Sequence, residues 1–178
     1  MLHLGLCYMK GDDGVDRSDE KAVEWLTRGA AKGGVTAMFH LGSCYKKGSG
    51  VEKSGVNAVE WWIRAAAEGD AMAMRAVGLA CYQGAGIEQN SGNAVAWWTR
   101  AAEKGNAAAM FHLGLCYMNG SGVEKSDERA VEWLSRAAEN GKVAAMFQLG
   151  SCYKKSSGIE KSAEKAVEWW LTMATRER

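Results

Sequence analysis

Three histidine–cysteine pairs are the residues of this sequence whose types and spacing suit metal chemistry. Each pair is separated by four positions, so that on a helix both side chains would lie on one face. Two such helices side by side would offer two imidazoles and two thiolates, which is a common ligand set for zinc. The pairs are His3 and Cys7, His40 and Cys44, and His112 and Cys116, and the first two pairs make the candidate site.

The zinc hypothesis competes with a plain packing role for the same residues. The pattern does not persist along the chain, since Ala76, Ala80 and Gln148 replace its members elsewhere. The face that carries the pairs also points toward a helix packing seam, where side chains must span roughly 8 to 10 Å between axes. Packed histidine and cysteine are therefore the expectation, with no metal and no other cofactor.

The five cysteines do not form a disulfide framework. Four of them recur at one position of a repeated pattern, and the remaining copy has Ala80 there with Cys81 beside it. One thiol per copy makes no pair within a copy, so we expect buried, reduced cysteines and favour a reducing compartment such as the cytoplasm.

The sequence predicts no enzyme. Its Gly-x-Gly segments recur in the repeats as turns that connect predicted helices, and they do not form a phosphate-binding loop. Nearly every polar residue type is repeated, whereas catalysis normally needs one asymmetric group of residues. We therefore assign no catalytic residue.

Charge and hydropathy narrow the class of partner. The 178 residues carry 22 basic and 21 acidic side chains and are 47% hydrophobic. A net charge of +1 argues against nucleic acid as the main ligand. No apolar run approaches the roughly 18 residues of a membrane span, so the sequence predicts neither a nucleic acid nor a membrane partner.

The elements that must position these side chains are repeats. Trp25, Trp61, Trp97, Trp133 and Trp169 are each 36 residues apart, and the stretch AMFHLGSCYKKGSGVEKS returns near the end with three changes. We expect a single repeat domain over 1–178. Its five copies lie approximately at 1–33, 34–69, 70–105, 106–141 and 142–178, with the first truncated.

Each copy is predicted to form two helices. Apolar residues recur at offsets of three and four from Val35 to Lys47, and Gly48 and Gly50 then turn the chain. The second helix is expected over Ala58 to Gly69, with both adjacent tryptophan positions in the core. The expected N-caps are Asp70 and Asn106 for first helices and Ser18, Ser54, Ser126 and Ser162 for second helices; the expected left-handed glycines after second helices are Gly33, Gly69, Gly105 and Gly141.

The pattern A-x-x-x-L-G-x-x-Y-x-x-G-x-G-V, followed by an N-cap and A-V-x-W-x-x-x-A-A-x-x-G, resembles the Sel-one-like repeat family. This family is related to the tetratricopeptide repeat and has a longer loop between its helices. Cys81, Ser156 and Thr172 depart from the pattern. The resemblance implies an all-α, right-handed α/α superhelix (solenoid) of five 36-residue helix-turn-helix repeats. It also implies a scaffold that binds other proteins.

The candidate binding surface is the side of each first helix that repeat packing does not need. In a tetratricopeptide-like arrangement this side lines the concave surface, and phenylalanine there suggests an interaction groove. The alternatives are that Phe39 and Phe111 pack as core and that the basic residues are a solvated rim. The candidate partner-binding residues are Leu2, Leu6, Phe39, Ser43, Lys46, Arg75, Leu79, Tyr82, Phe111, Leu115, Met118, Phe147 and Lys154.

We therefore expect a non-enzymatic scaffold whose partner is a protein or peptide with apolar anchors and acidic groups. The alternative is a structural or self-associating array, designed or cut from a longer solenoid, with no ligand of its own. Its basis is that neither end of the chain shows a polar capping helix, which would leave the ends open to weak self-association.

Overall fold

The computed structural model describes residues 1–12, 14–155 and 160–176, and all regular structure in these ranges is α-helical. This confirms the predicted all-α class of helix-turn-helix repeats. We call the first helix of each repeat helix A and the second helix B. In chain order the helices are α1 (Leu2–Lys10), α2 (Asp19–Ala31), α3 (Val35–Lys47), α4 (Gly55–Ala67), α5 (Ala71–Gln83), α6 (Ser91–Glu103), α7 (Ala107–Asn119), α8 (Asp127–Glu139), α9 (Val143–Lys155) and α10 (Ala163–Arg176).

The chain divides into two compact units, Met1–Gln89 with α1 to α5 and Asn90–Arg178 with α6 to α10. We call them unit 1 and unit 2. The expectation of one domain over the whole chain stays a prediction. In the described ranges, no helix combines the length and the apolar character that crossing a membrane would require.

Local sequence sets the helix ends. The side chains of Asp70 and Asn106 accept hydrogen bonds from the backbone N–H three residues later, at 2.6 and 2.9 Å, as predicted for N-caps. The serine caps of helix B are confirmed in the same way, and Asn90 caps α6. Helix α4 begins directly after its cap Ser54, and so earlier than the predicted Ala58. The four predicted glycines that follow helix B have φ between 80° and 91°, which confirms their left-handed conformation.

Each unit builds its core by packing helix A against the helix B on either side of it. In unit 1, α1 to α4 each contact the next helix in the chain. The core cluster that joins the first two repeats contains Leu26, Ala30, Ala37, Leu41 and Cys44. In unit 2 the largest fully buried side chains are Trp98, Leu113, Leu134, Met146 and Leu149.

The prediction that both tryptophan positions of helix B lie in the core holds only in part for the first position, where Trp61 packs against the core cluster without being fully buried. Trp61 is half-buried, and Arg64 covers its ring at 4.6 Å; the tryptophans of repeats one, three and four are covered in the same way. The next position is buried in the first four repeats, with Trp62 at 5% exposure and Leu134 at 0%, and Trp170 in the fifth repeat is half-buried. Neighbouring residues on a helix differ by about 100° in direction, so only one of the two can face the core fully.

Helix A carries a glycine where the buried helix B side chain meets it. A Cβ atom on Gly42 would lie 2.6 Å from the indole nitrogen of Trp62, and one on Gly114 would lie 2.7 Å from Cγ of Leu134. The Trp62 indole N–H donates to the backbone carbonyl of Phe39 at 3.2 Å. The helix B side chain therefore packs directly on the helix A backbone, and no space remains between them for a β-carbon on the glycine.

The five cysteines are free and buried. Burial raises the pKa of the thiols of Cys44, Cys81 and Cys152, and it raises the pKa of Cys116 to about 11. Nearby carboxylates act in the same direction on Cys44, through Asp19, and on Cys152, through Asp127. The thiol form is therefore strongly favoured in the folded chain.

We expect the Trp62→Ala variant to lose roughly 3 to 5 kcal/mol of unfolding free energy, as other large core truncations do. Trp61→Ala should lose about 1 kcal/mol, because its ring is half-exposed and its partner arginine is exposed. Urea denaturation followed by far-UV circular dichroism measures both values. Equal losses would show that the two tryptophan positions are not distinguished by burial.

Raised thiol pKa values predict a loss of stability at alkaline pH. The stabilisation is fully present below the ordinary thiol pKa of about 8.5 and is lost as pH rises toward the folded-state values. We expect the unfolding free energy to fall from about pH 9 upward, less steeply in Cys116→Ala.

In denaturant at pH 8 a thiol reagent should find all five cysteines, and in the native protein it should react far more slowly. Rapid native reaction at several cysteines would contradict this picture.

Candidate protein-interaction surface

The candidate residues lie on the side of helix A that faces away from its buried stripe. We call this side the helix A face; it comprises the thirteen residues named above as candidates. None of them is buried: most are half-buried, and Lys46, Tyr82, Phe147 and Lys154 are exposed. The stripe on the other side of α3 is buried at Ala37, Leu41 and Cys44. Phe39 and Phe111 are half-buried, so both the groove and the alternative in which they pack as core stay predictions.

In unit 1 the structure brings five candidates together in one groove. Its open cavity of about 230 Å³ lies between α3, α4 and α5. We call it the unit 1 groove; it is lined by Phe39, Ser43, Lys46, Lys47, Trp62, Arg75, Ala76 and Leu79. Three other unit 1 candidates lie outside it: Leu2 packs against the core cluster, Leu6 lines a separate cavity beside His3, and Tyr82 is 38% exposed.

Two hydrogen bonds fix the wall of the unit 1 groove. The carbonyl oxygen of Phe39 accepts from the hydroxyl of Ser43 at 3.1 Å and from the indole N–H of Trp62 at 3.2 Å. The ammonium of Lys46 lies 5.8 Å from the centre of the Trp62 ring, within cation–π range. The backbone at Phe39 and the charge of Lys46 are thus both positioned by one tryptophan.

The unit 1 groove is basic at its rim. Lys46, Lys47 and Arg75 contribute three cations, and none of the eight lining residues is acidic. Because the whole chain has a net charge of only +1, this excess is local. Three neighbouring cations on an apolar base favour a ligand that combines carboxylates with an apolar group.

Unit 2 repeats the wall, and Lys154 and Lys155 stand where Lys46 and Lys47 stand in unit 1. The carbonyl of Phe147 accepts from Ser151 at 3.1 Å and from the Trp170 indole at 3.4 Å. The side chain of Phe147 is 51% exposed, and Phe111 is half-buried with the Lys142 ammonium 5.7 Å from its ring centre. Leu115 and Met118 on α7 are half-buried, and Lys154 on α9 is exposed. Unit 2 therefore presents an accessible aromatic face.

Sequence reasoning missed Trp62 and Ala76 as groove residues. Trp62 was expected only as core, yet one edge of it lines the groove. Ala76 interrupts a histidine position, since His40 and His112 stand at the equivalent places one repeat before and after it. This interruption is the signal in the sequence that could have located the groove.

The histidine–cysteine pairs do not assemble into the ligand set of the zinc hypothesis. Cys7 Sγ lies 3.6 Å from Nε2 of His3, so one pair is in contact. Over residues 1–12, 14–155 and 160–176, no three histidine, cysteine or acidic side chains come close enough to share a metal ion. Burial lowers the pKa of His40, opposed by Asp70, and this favours the neutral imidazole. In unit 2 the ring of His112 stacks on Trp98 at 4.7 Å.

Comparison with solved structures identifies close structural relatives. A Sel1 repeat protein from Oxalobacter formigenes aligns over 98% of this chain and 69% of its own, with a TM-score of 0.91 and 37% identity. A protective antigen of uropathogenic Escherichia coli with an SLR fold aligns over 99% of this chain and 38% of its own, with a TM-score of 0.94 and 29% identity. An immunity protein from Pseudomonas aeruginosa aligns over 98% of this chain and 64% of its own, with a TM-score of 0.64 and 22% identity. At this identity the likeness shows the fold alone.

Family comparison accounts for almost the whole chain. No curated protein matches the sequence at a significant level. The family model described as Sel1 repeat matches five consecutive segments, at residues 1–34, 35–70, 71–106, 107–142 and 143–176. The chain belongs to the Sel1 repeat family.

Proposed function

We propose that this chain is a non-enzymatic scaffold that binds a protein or peptide segment on the helix A face. Sel1 repeat proteins are generally protein-interaction scaffolds. The observation that carries the proposal here is the accessible aromatic and apolar content of the helix A face. Phe147 alone is 51% exposed on a helix whose other side is almost fully buried.

Accessible aromatic groups on a helix are most useful at an interface. The exposed part of a phenylalanine, as at Phe147, gains nothing from repeat packing, whereas aromatic residues are enriched where proteins bind one another. The hydrogen bonds at the Phe39 and Phe147 carbonyls hold the helix A backbone in place before any partner arrives. A rigid surface loses little conformational entropy on binding.

The chemistry of the described side chains supports a binding role over a catalytic one. The cysteines are the strongest intrinsic nucleophiles in the chain, and burial raises the pKa of four of them. A catalytic thiol needs the opposite shift, toward thiolate at neutral pH. These thiols are accordingly suited to packing.

Replacing Phe39, Phe111 and Phe147 together by serine should remove binding while the helices remain. Partners are captured by the wild-type chain, and their affinity is then measured for both proteins. Buried aromatic anchors often contribute 2 kcal/mol or more, so we expect affinity to fall at least about 30-fold. Circular dichroism verifies that the variant is folded.

A matched control replaces Val56, Ile63 and Leu171 by serine. These residues are 56%, 40% and 62% exposed, but they lie on helix B. The control should bind as the wild type does. Unchanged affinity in the phenylalanine variant would reject the helix A face. Concentration-dependent light scattering without any captured partner would instead favour the self-associating array.

A further inference from the structure

Two buried tryptophans at the same repeat position meet different neighbours from the following helix A. In unit 2 the His112 ring stacks on Trp98 with a centre-to-centre distance of 4.7 Å and an angle of 18°. In unit 1 the residue at the histidine position is Ala76, and it faces Trp62. Trp98 is 1% exposed and Trp62 is 5% exposed.

Trp62 and Ala76, the residue at the histidine position, both line two separate spaces. One is the unit 1 groove, which opens to solvent. The other is a small cavity of about 30 Å³ lined mostly by apolar groups, among them Trp62, Ala76 and Ala80. Both spaces therefore border the same indole ring, so an apolar group that entered from the groove would meet an aromatic surface.

The entrance to this space carries the basic rim. Lys46 and Lys47 come from the end of α3, and Arg75 comes from α5 next to Ala76. The equivalent positions in the fourth and fifth repeats, within unit 2, are Met118, Asn119 and Phe147, which carry no charge. The alanine and these cations thus occur together in the second and third repeats, whereas the fourth and fifth repeats have neither at the equivalent positions. The cation beside Phe111 is instead Lys142, from a different position of the repeat.

We propose that Ala76 opens a subsite where an acidic peptide segment inserts one apolar side chain against Trp62. The carboxylates of that segment lie beside Lys46 and Lys47, and its apolar side chain contacts Trp62, Ala76 and Leu79. This inference rests on the proposed function, since it names the partner chemistry for one part of the helix A face. Charge complementarity selects the acidic segment, and the space beside Trp62 and Ala76 selects the apolar side chain.

The test uses three fluorescent eight-residue peptides and the full chain. The first peptide contains glutamates around one central leucine, the second has serine in place of leucine, and the third has glutamines in place of the glutamates. Fluorescence anisotropy should show that the first binds at least about tenfold more tightly than either of the others, because both groups are needed. Its affinity should also fall as salt is added.

The decisive variant is Ala76→His, which copies the stack that the chain already forms between Trp98 and His112. It should remain folded with an unchanged or higher melting temperature and bind the glutamate–leucine peptide at least about tenfold more weakly. Ala67→His, at an exposed position of α4, is the control and should bind as the wild type does. Lys46→Gln with Lys47→Gln should weaken binding and flatten its salt dependence, whereas Lys32→Gln should change neither.

Three results would each overturn the proposal. The first is that Ala76→His binds the glutamate–leucine peptide as tightly as the wild type does, and the second is that the serine and leucine peptides bind with equal affinity. The third is a dissociation constant for the first peptide above about 1 mM, which corresponds to only about 4 kcal/mol of binding free energy. The wider proposed function is judged separately by the phenylalanine variant and its captured partner. If the glutamate–leucine peptide does not bind, but the phenylalanine variant still loses its captured partner, then the subsite is rejected and the wider proposed function is kept.

Discussion

The close approach of a helix B side chain to the helix A backbone is the constraint on which the rest of each repeat depends. In the second repeat the Trp62 indole occupies the space that a β-carbon on Gly42 would need, and in the fourth repeat Leu134 does the same at Gly114. An indole N–H buried there must find an acceptor, and the Phe39 carbonyl supplies it. This contact fixes the rotation of helix A, so that Leu41 points inward while Phe39 remains on the accessible side.

The same constraint links the core to the chemistry of the surface. Where the helix B residue at this position is tryptophan, as at Trp62 and Trp170, helix A carries Ser43 or Ser151, whose hydroxyl donates to the carbonyl that the indole also uses. Where that residue is leucine, helix A carries leucine in the serine position, as at Leu115 opposite Leu134. The third repeat combines leucine with tryptophan, so the pairing is a preference. Whether the helix A face carries serine or leucine at this position therefore depends partly on whether the helix B residue packed against it is tryptophan or leucine.

Much of the repeat could be predicted from sequence because its signals are local. The N-caps at Asp70 and Ser54 and the left-handed glycine at Gly69 each act within a few residues, and the structure confirms them. The rotation of helix B was harder, because Trp61 and Trp62 are equally hydrophobic and only packing distinguishes them. Arg64 was a usable signal, since three residues on a helix place its guanidinium over the first tryptophan. The groove depends on contacts between three helices, so spacing along the chain could not reveal that Trp62 and Ala76 meet.

A repeat protein can keep an open site at one junction because its stability is close to a sum of repeat and interface contributions. Losing an aromatic stack of the kind seen between Trp98 and His112 costs roughly 0.5 to 1.5 kcal/mol, and that cost stays within the junction where it occurs. The interfaces built on Leu26 and on Leu134, at other junctions, keep their own packing. Similar copies thus provide the stable frame, and a departure such as Ala76 is where a surface with its own binding specificity is able to arise.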